Sequence, residues 1–351
     1  MKQKIVMLVI ALCVVTNVWA QDTPMVTLQN DTETKVFYGS DSFKEAMKVA
    51  NHGDIITLSS GIFNAPVITK VVSIYGAGAK ISNDNVQTGL TQINGNMYIR
   101  MDSISGAPAT GFYMEGLFFN SNEVWVEKPL KSASLVKCRF NNINFNKNDS
   151  VYTKVESEMV HFYQCRIAKW LEPGSCNGMT VYNSVINNIG ANKTLSTINI
   201  KNSVVYNVSW KLYNARFENC YIYHAIKTEW HSNTNNNQDL NSSCSALNVV
   251  YGTYILEYVT SQSNCWYVGS SSVFKSGSTT SYSDAATYEL TSTAKANYIG
   301  TDGKPIGLYG GDYPYNTKPS MPYVVEKNIA TKSENGKLKV SIKVAVPGSN
   351  L

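Results

Sequence analysis

The stretch YNSVINNI (residues 182–189) returns nineteen positions later as KNSVVYNV (residues 201–208). Both copies have a small residue third, an apolar residue fifth and an asparagine just before the small residue. Four other segments share this form, at spacings of 17 to 27 residues. A period near 20 indicates a protein built from stacked repeats. The other segments are MEGLFFNS (114–121), VKCRFNNI (136–143), YQCRIAKW (163–170) and ENCYIYHA (218–225).

The columns of these segments predict two short strands joined by a corner. Apolar and polar residues alternate, as in a strand. In four copies Asn or Gln precedes the small residue, and asparagine accepts the left-handed backbone of a tight corner. A leucine-rich repeat would need a leucine framework, and a propeller blade would need about twice this period. We therefore predict an all-β fold, a parallel β-helix. The corner residues are Gln164, Asn183, Asn202 and Asn219; the inward columns are Tyr113, Leu135, Phe162, Val181, Ile200, Phe217 and Phe118, Phe140, Ile167, Ile186, Val205, Ile222; the small column is Gly116, Cys138, Cys165, Ser184, Ser203, Cys220.

The N-terminus predicts export. A basic start, an apolar run at 5–15 and small residues before Gln21 form a secretory signal peptide over residues 1–20. Lipidation at Cys13 is an alternative, but Leu12 is bulky where lipid attachment prefers a small residue. The apolar run is too short to span a bilayer, and no later stretch reaches the ~20 apolar residues required. We expect a secreted protein, periplasmic or at the cell surface.

The composition indicates a globular protein and argues against a nucleic-acid partner. The 351-residue chain is 43% hydrophobic, which suits a globular protein with a sizeable core. Its formal charge is +5, and removal of residues 1–20 with two lysines and no acids leaves +3. No dense Lys/Arg stripe is present, so no nucleic-acid partner is expected.

The cysteines leave two interpretations open. Six follow the signal peptide, without the paired spacing of a zinc site, so no metal is expected. They are either buried small residues or members of one or two disulfides, which export permits. Cys244 and Cys265 are the first candidates for a bridge. The six are Cys138, Cys165, Cys176, Cys220, Cys244 and Cys265.

Two stretches outside the repeats extend the pattern at its ends. In SFKEAMKVANHGDIITLSSGIFNAPVITKVVSIYGAG (42–78), Ser42 and Glu45 form a capping box for a short helix. Its apolar face consists of Phe43, Ala46, Met47 and Ala50. At the other end, TDGKPIGLYGGDYPY (301–315) contains the tight turn Asp302-Gly303.

With these stretches, the chain resembles the right-handed parallel β-helix, or pectate-lyase-like, superfamily, in the form of secreted bacterial proteins of poorly defined role. The resemblance covers roughly residues 35–316. It implies an N-terminal cap helix over the open end of the core and makes 301–315 the closing segment. Residues 21–34 are then a lead-in to the β-helix.

The residues outside this regular part predict a loop and a hairpin. The insert HSNTNNNQDLNSSCS (231–245) interrupts the period and is expected to be a surface loop. Two alternating runs around Asn335-Gly336 predict a β-hairpin, so residues 319–351 form a short C-terminal β appendage.

Many members of the superfamily act on polysaccharides, but the matching catalytic pattern is missing. Glycoside hydrolysis needs two carboxyl groups flanking the bond, and the aligned repeats contain no such pair. Elimination in pectate lyases uses calcium held by carboxylates and an Arg or Lys base. Under this alternative Lys201 would be the base and Arg216 would neutralise a uronate, and Glu218 is the third candidate residue. The carboxylates Glu115 and Glu218 are isolated in the sequence and do not form a calcium-binding cluster. Calcium enters only here; otherwise no cofactor is expected.

The outward columns instead predict a binding face. Parallel stacking places two columns of aromatic, charged and amide side chains on one sheet face, which suits a polysaccharide or surface glycan. A further column after the corner is also expected to face outward. Tyrosine columns and a surface ion pair would equally suit plain β-structure. The leading hypothesis is a non-catalytic glycan-binding or cell-surface-associated module; the alternative is a polysaccharide lyase. The face comprises His161, Tyr163, Tyr182, Lys201, Arg216 and Glu218, and the further column comprises Arg139, Arg166, Tyr206, Tyr221 and Tyr223.

Overall fold

The computed structural model describes residues 23–345 except 80–88, 102–108, 146–156, 191–195, 209–211, 213, 226–243, 253–258, 270–271 and 331. The signal peptide and residues 231–243 of the insert lie outside the described residues.

The described residues form two short helices and 28 strands. The helices are α1 (Ser42–Val49) and α2 (Ser292–Asn297). The strands are β1 (Met25–Gln29), β2 (Thr34–Tyr38), β3 (Ile55–Leu58), β4 (Gly61–Asn64), β5 (Val67–Ile68), β6 (Ser73–Tyr75), β7 (Thr91–Asn94), β8 (Met97–Ile99), β9 (Ala109–Thr110), β10 (Tyr113–Glu115), β11 (Leu117–Phe119), β12 (Glu123–Val126), β13 (Leu130–Val136), β14 (Arg139–Asn144), β15 (Glu158–Tyr163), β16 (Arg166–Glu172), β17 (Met179–Tyr182), β18 (Val185–Ile189), β19 (Ile198–Lys201), β20 (Val204–Val208), β21 (Ala215–Glu218), β22 (Tyr221–Ala225), β23 (Cys244–Leu247), β24 (Val250–Tyr251), β25 (Val259–Ser263), β26 (Trp266–Tyr267), β27 (Tyr323–Ile329) and β28 (Val340–Ala345).

Two large sheets of 13 strands each dominate the described part of the chain, and their strands are mostly parallel. The first sheet runs β2-β1-β3-β6-β10-β13-β15-β17-β19-β21-β23-β25, with β9 beside β13. The second runs β26-β24-β22-β20-β18-β16-β14-β11-β7-β4, with β12 beside β14 and with β8 and β5 following β12. From β13 to β26, successive strands alternate between the sheets, and each strand up to β24 pairs in parallel with the strand two further along. The all-β prediction with large parallel sheets is therefore confirmed.

The core lies between the two sheets. The inward columns expected from β13 to β22 are at most 1% exposed, and the small column beside them is buried as well. Phe140 stacks on Phe119 at 5.4 Å and meets Phe162 edge-on at 6.2 Å. Equivalent apolar side chains of successive repeats therefore pack on one another. Burial of this continuous apolar column is the main favourable contribution to the free energy of folding.

A column of left-handed residues joins the two sheets. Each member follows a strand of the first sheet and precedes a strand of the second, and all members before Asn264 donate their amide to a carbonyl one repeat on. Asn183, for example, has φ +47° and donates its N–H to the Lys201 carbonyl at 3.1 Å. The corner expected at Gln164, Asn183, Asn202 and Asn219 is therefore present. This corner column comprises Gly116, Lys137, Gln164, Asn183, Asn202, Asn219, Asn248 and Asn264.

The first aligned segment is out of register by one residue. Gly116, expected in the small column, has φ +71° and is itself the corner residue. Glu115 consequently pairs with Val136, and the buried apolar residues of the segment are Met114, Leu117 and Phe119. The inward placement expected for Tyr113 and Phe118 is wrong, since both side chains are half-buried on the outer faces. Aligning by residue size failed because glycine suits both a small column and a left-handed corner.

The N-terminal strands extend the first sheet at one end. Strand β1, within the expected lead-in, pairs antiparallel with β2 and with β3. Helix α1 follows, and its expected apolar face is buried. The proposed capping box is wrong, however: the N-cap is Asp41 without a side-chain cap, and Ser42 Oγ is buried with no hydrogen-bond partner in the described structure.

A second apolar cluster covers the outer face of the second sheet. Residues 273–320, here called the C-terminal cover, fold back so that Phe274 meets Tyr221 edge-on at 5.0 Å. Tyr206 donates its hydroxyl to the Ser278 carbonyl at 2.6 Å. The expectation that the column after the corner faces solvent is therefore wrong. Arg139, Arg166, Tyr206 and Tyr221 are between 0% and 8% exposed, and Tyr223 is half-buried.

The last part of the cover (residues 300–320) runs along the corner column. Asn183 Nδ2 donates to the carbonyls of Leu308 and Gly310 at 2.9 and 2.8 Å. Gln164 Nε2 donates to the Pro314 carbonyl at 2.8 Å. The amides expected only to form a corner therefore also bind the closing segment. Further contacts are Asn219 Nδ2 to Thr301 Oγ1 at 3.2 Å and Lys137 Nζ to Ser320 Oγ at 3.0 Å.

All six cysteines of the described residues are free, and five are buried. The Cys244–Cys265 bridge is therefore wrong for this structure. Burial raises the pKa of the Cys165, Cys176 and Cys220 thiols to about 12. These residues pack as small apolar side chains, which is the other interpretation that the sequence left open.

The C-terminal hairpin forms where the sequence predicts it. Strands β27 and β28 pair antiparallel, and both Asn335 and Gly336 have positive φ at the turn. This is the backbone that a two-residue hairpin loop requires.

Candidate functional site

The six predicted site residues lie together on the outer face of the first sheet. Strand register places His161, Thr180, Asn199 and Arg216 in one column. The neighbouring column, nearer the corner, contains Tyr163, Tyr182, Lys201 and Glu218. Parallel pairing without a bulge in this region brings residues from four strands into contact, as the repeat predicted.

Three tyrosines and a histidine form the aromatic part of this face. The rings of Tyr163 and Tyr182 stack at 5.5 Å and 19°, because they occupy equivalent positions on adjacent strands. Tyr313 of the cover meets Tyr163 at 5.8 Å and 62° and is 41% exposed. The stacked pair is half-buried on the outer face, and Tyr313 contacts it from the cover. We call Tyr163, Tyr182 and Tyr313 the tyrosine cluster.

His161 borders the tyrosine cluster. Its ring lies 6.0 Å from Tyr163, and its Nδ1 is 2.6 Å from Thr180 Oγ1. Burial lowers the pKa of His161 below its ordinary value, so the ring is neutral at neutral pH. A neutral imidazole beside a hydroxyl can both donate and accept hydrogen bonds.

Lys201, Arg216 and Glu218 form a compact ionic cluster. Lys201 Nζ lies 3.0 Å from Glu218 Oε1, and Arg216 Nη2 lies 3.0 Å from Oε2. Thr301 Oγ1 of the cover donates to Oε1 at 2.7 Å. Burial raises the pKa of Glu218, but the hydrogen bonds from Thr301 and Lys201 and the two positive charges outweigh it, so the net shift is downward. Glu218 is therefore ionised at neutral pH.

Replacing Glu218 by glutamine should remove a pH-dependent part of the stability. The folded pKa lies below the ordinary value of 4.5, so the carboxylate stabilises the fold above that value and loses its effect as pH falls through the folded pKa. Urea unfolding should show Glu218→Gln about 1 kcal/mol less stable at pH 7, and the difference should shrink towards pH 3. Glu33→Gln is the control, because its ion pair with Lys35 is half exposed. A difference that is equal at both pH values would contradict the assignment.

The ionic cluster does not fit the calcium-dependent chemistry of the lyase alternative. Both oxygens of Glu218 already accept hydrogen bonds, and two cations beside them disfavour a divalent cation. Lys201 is held in an ion pair and is not free to act as a base. We therefore derive no catalytic step through these three residues. No three His, Cys, Asp or Glu side chains of the described residues are placed to share a metal ion.

Sequence reasoning missed a buried polar group in the column of the tyrosines. Glu115 is 1% exposed, and its Oε2 accepts a hydrogen bond from the Tyr113 hydroxyl at 2.6 Å. Its Oε1 accepts from the Ser320 amide at 2.7 Å and lies 3.9 Å from Lys137 Nζ. Burial lowers the pKa of Lys137, although the charge of Glu115 opposes this effect. The group would have been found with the correct register, since Glu115 then shares a column with Tyr163.

Comparisons with known proteins add no relative. No family model matches the chain, and no curated protein or solved structure does either. Neither helix of the described part has the length and apolar composition needed to span a bilayer.

Proposed function

We propose that this protein is a secreted, non-catalytic glycan-binding module of the periplasm or cell surface, and that it binds through the outer face of the first sheet. The observation that carries the proposal is the tyrosine cluster beside His161 and the ionic cluster. Sugars combine apolar ring faces with many hydroxyl groups. Aromatic rings with hydroxyl, imidazole, amide and charged groups around them complement both features.

The cover supports the choice of this face. On the second sheet, the outward residues next to the corner column lie beneath residues 273–315, so Arg139, Arg166, Tyr206 and Tyr221 are buried in packing. From β15 to β21, the first sheet keeps its polar and aromatic outward columns half-buried or exposed. Tyr313 adds one side chain from the cover to the first sheet's face at the tyrosine cluster.

We further propose that the two sheets are faces of one right-handed parallel β-helix of the pectate-lyase-like superfamily, with α1 as its cap. The support is the alternation of strands between sheets, the repeated left-handed corner and the apolar face of α1 packed beside β1 and β4. A cap of this kind shields the first repeat, which would otherwise expose its core.

The double variant Tyr163→Ala/Tyr182→Ala should lose glycan binding. Removing both rings deletes the stacked pair and its hydroxyls, and loss of such central aromatic contacts weakens binding by about tenfold or more. A glycan array identifies a binder, and calorimetry with that glycan then compares the variant with the unaltered protein.

Tyr38→Ala is the matched control, because Tyr38 is 66% exposed on β2 at the end of the same sheet. It should bind as the unaltered protein does. An array without a binder, or equal affinity of the double variant and Tyr38→Ala, would refute the proposal.

A further inference from the structure

Two tryptophans lie on a part of the second sheet's outer face that is farther from the corner column than the covered residues. Trp125 of β12 is half-buried between two inward valines, and Trp170 of β16 is 40% exposed. Strand β14 runs between them. Parallel pairing places six outward side chains in a grid of three strands by two positions, here called the tryptophan grid. One row is Glu123, Asn142 and Trp170, and the other is Trp125, Asn144 and Glu172.

The grid places like residues at opposite corners. The tryptophans share one diagonal, the glutamates share the other, and the asparagines of β14 lie in the middle. Strands are about 4.8 Å apart and alternate residues of one strand are about 6.6 Å apart, so the Cα atoms of the two tryptophans are roughly 12 Å apart. This distance is comparable with the length of a short oligosaccharide.

Hydrogen bonds hold the polar middle of the grid in place. Asn142 Nδ2 donates to Glu123 Oε1 at 2.8 Å, and Asn144 Nδ2 donates to Glu172 Oε2. Asn142 Oδ1 accepts from the backbone N–H of Trp170 at 3.1 Å. A carboxylate has several acceptor positions, so each glutamate can accept further hydrogen bonds from the hydroxyl groups of a ligand.

A β-bulge presents Trp170 at this face. Two residues, Ala168 and Lys169, separate Ile167 from Trp170 on β16, whereas a single residue separates the partners of Ile167 and Trp170 on β14 and on β18. Bulges of this kind re-aim a side chain and are frequent beside functional sites. Gly190 places no side chain against the ring, at a position where a Cβ would lie 3.5 Å from Trp170 Cε3.

We infer that the tryptophan grid is a second binding site and that it takes a neutral glycan. The apolar ring faces of sugars pack on the tryptophans, and sugar hydroxyls donate to the carboxylates and amides between them. The grid has two carboxylates, and the adjoining bulge adds only one cation, Lys169, so a uronate is disfavoured. The tyrosine cluster, in contrast, lies beside Lys201 and Arg216. The inference uses none of the residues of the proposed function and does not depend on it.

The test is calorimetric titration of the full secreted chain with neutral pentasaccharides of different linkage and with pentagalacturonate. The neutral probes are cellopentaose, laminaripentaose, maltopentaose and mannopentaose. At least one of them should bind saturably, and about tenfold or more tightly than pentagalacturonate. Absence of saturable binding by all neutral probes, or equally tight binding of pentagalacturonate, overturns the inference.

Two variants locate the site on the grid. Trp170→Ala removes the exposed ring and should weaken binding of the neutral probe about tenfold or more, and Trp125→Ala at the opposite corner should weaken it as well. Trp170→Phe keeps an aromatic face and should lose less affinity than Trp170→Ala. Circular dichroism checks that each variant is folded, and unchanged affinity of folded Trp170→Ala overturns the inference.

Two further variants serve as controls. Tyr267→Ala should bind the neutral probe normally, because Tyr267 is 55% exposed on β26 at the end of the same sheet. Tyr163→Ala/Tyr182→Ala separates the two faces. Affinity that is lost in Trp170→Ala and kept in this double variant assigns the neutral probe to the tryptophan grid. Affinity that is lost in the double variant and kept in Trp170→Ala assigns the probe to the tyrosine cluster and overturns the inference.

Discussion

Arg166→Ala is expected to lower the free energy of unfolding by about 3–5 kcal/mol, because it removes a buried cation that holds the cover to the second sheet. Arg166 donates from Nε to the Tyr315 hydroxyl at 2.8 Å and from Nη2 to the Ala286 carbonyl at 2.7 Å. Its guanidinium also lies 5.4 and 5.2 Å from the rings of Tyr288 and Tyr315. Alanine leaves these partners unsatisfied and opens a cavity beneath the cover.

Urea unfolding measures this loss, and hydrogen exchange should show faster exchange within residues 273–315. Arg166→Lys keeps the positive charge but loses the planar guanidinium. The free energy of unfolding of this variant should therefore lie between that of Arg166→Ala and that of the unaltered protein. Arg216→Ala is the control; its side chain is 54% exposed in a single ion pair, and it should cost less than about 1 kcal/mol. If Arg166→Ala costs no more than Arg216→Ala, Arg166 does not hold the cover to the second sheet.

Phe119→Ala should destabilise the protein by about 3–5 kcal/mol, the usual cost of removing a buried phenylalanine. Phe119 is 0% exposed and stacks on Phe140. Its neighbour Phe118 is half-buried outside the core, where the Arg139 guanidinium lies 5.1 Å from its ring. Phe118→Ala should therefore cost only about 1 kcal/mol.

These two adjacent phenylalanines make a direct test of register. Alignment of MEGLFFNS by its glycine predicts that Phe118 is inside, whereas the corner at Gly116 places Phe119 there. Thermal or urea unfolding of the two variants distinguishes the alternatives, and a larger loss for Phe118→Ala would restore the original alignment.

The repeat could be predicted from the sequence wherever column chemistry was unambiguous. Asn183 and Asn202 signal the corner because few other residues adopt positive φ, and Ile186 and Val205 signal the core because strands alternate. The prediction failed at Gly116, because glycine suits both the small column and the left-handed corner. The sequence prediction also missed the two repeats after the insert, whose corners are Asn248 and Asn264. Leu247 and Ser263 precede these corners, whereas an aromatic or charged residue precedes the corner in the neighbouring copies.

The candidate site was predicted in part for the same reason. Tyr163, Tyr182 and Lys201 follow from register between strands that are close in sequence. The place of Tyr313 in the site could not be predicted, because Tyr313 belongs to a segment without periodicity about 150 positions away. The same is true of Pro314, which accepts a hydrogen bond from Gln164. The buried hydrogen bonds of Glu115 could not be predicted either, because they depend on the corrected register and on Ser320 of the distant cover.

The sequence by itself determined the period, the inward columns from β13 to β22, the corner from Gln164 to Asn219 and the hairpin turn at Asn335-Gly336. Each of these depends on the conformation of a few neighbouring residues, repeated until equivalent side chains stack. Only the tertiary structure decided which outer face is open. Arg166 and Tyr163 look equally exposed in a repeat alignment, but the cover returns to bury the first and leaves the second at the surface. Burial of an outward column depends on what packs over it, and alternation within a strand carries no information about that partner.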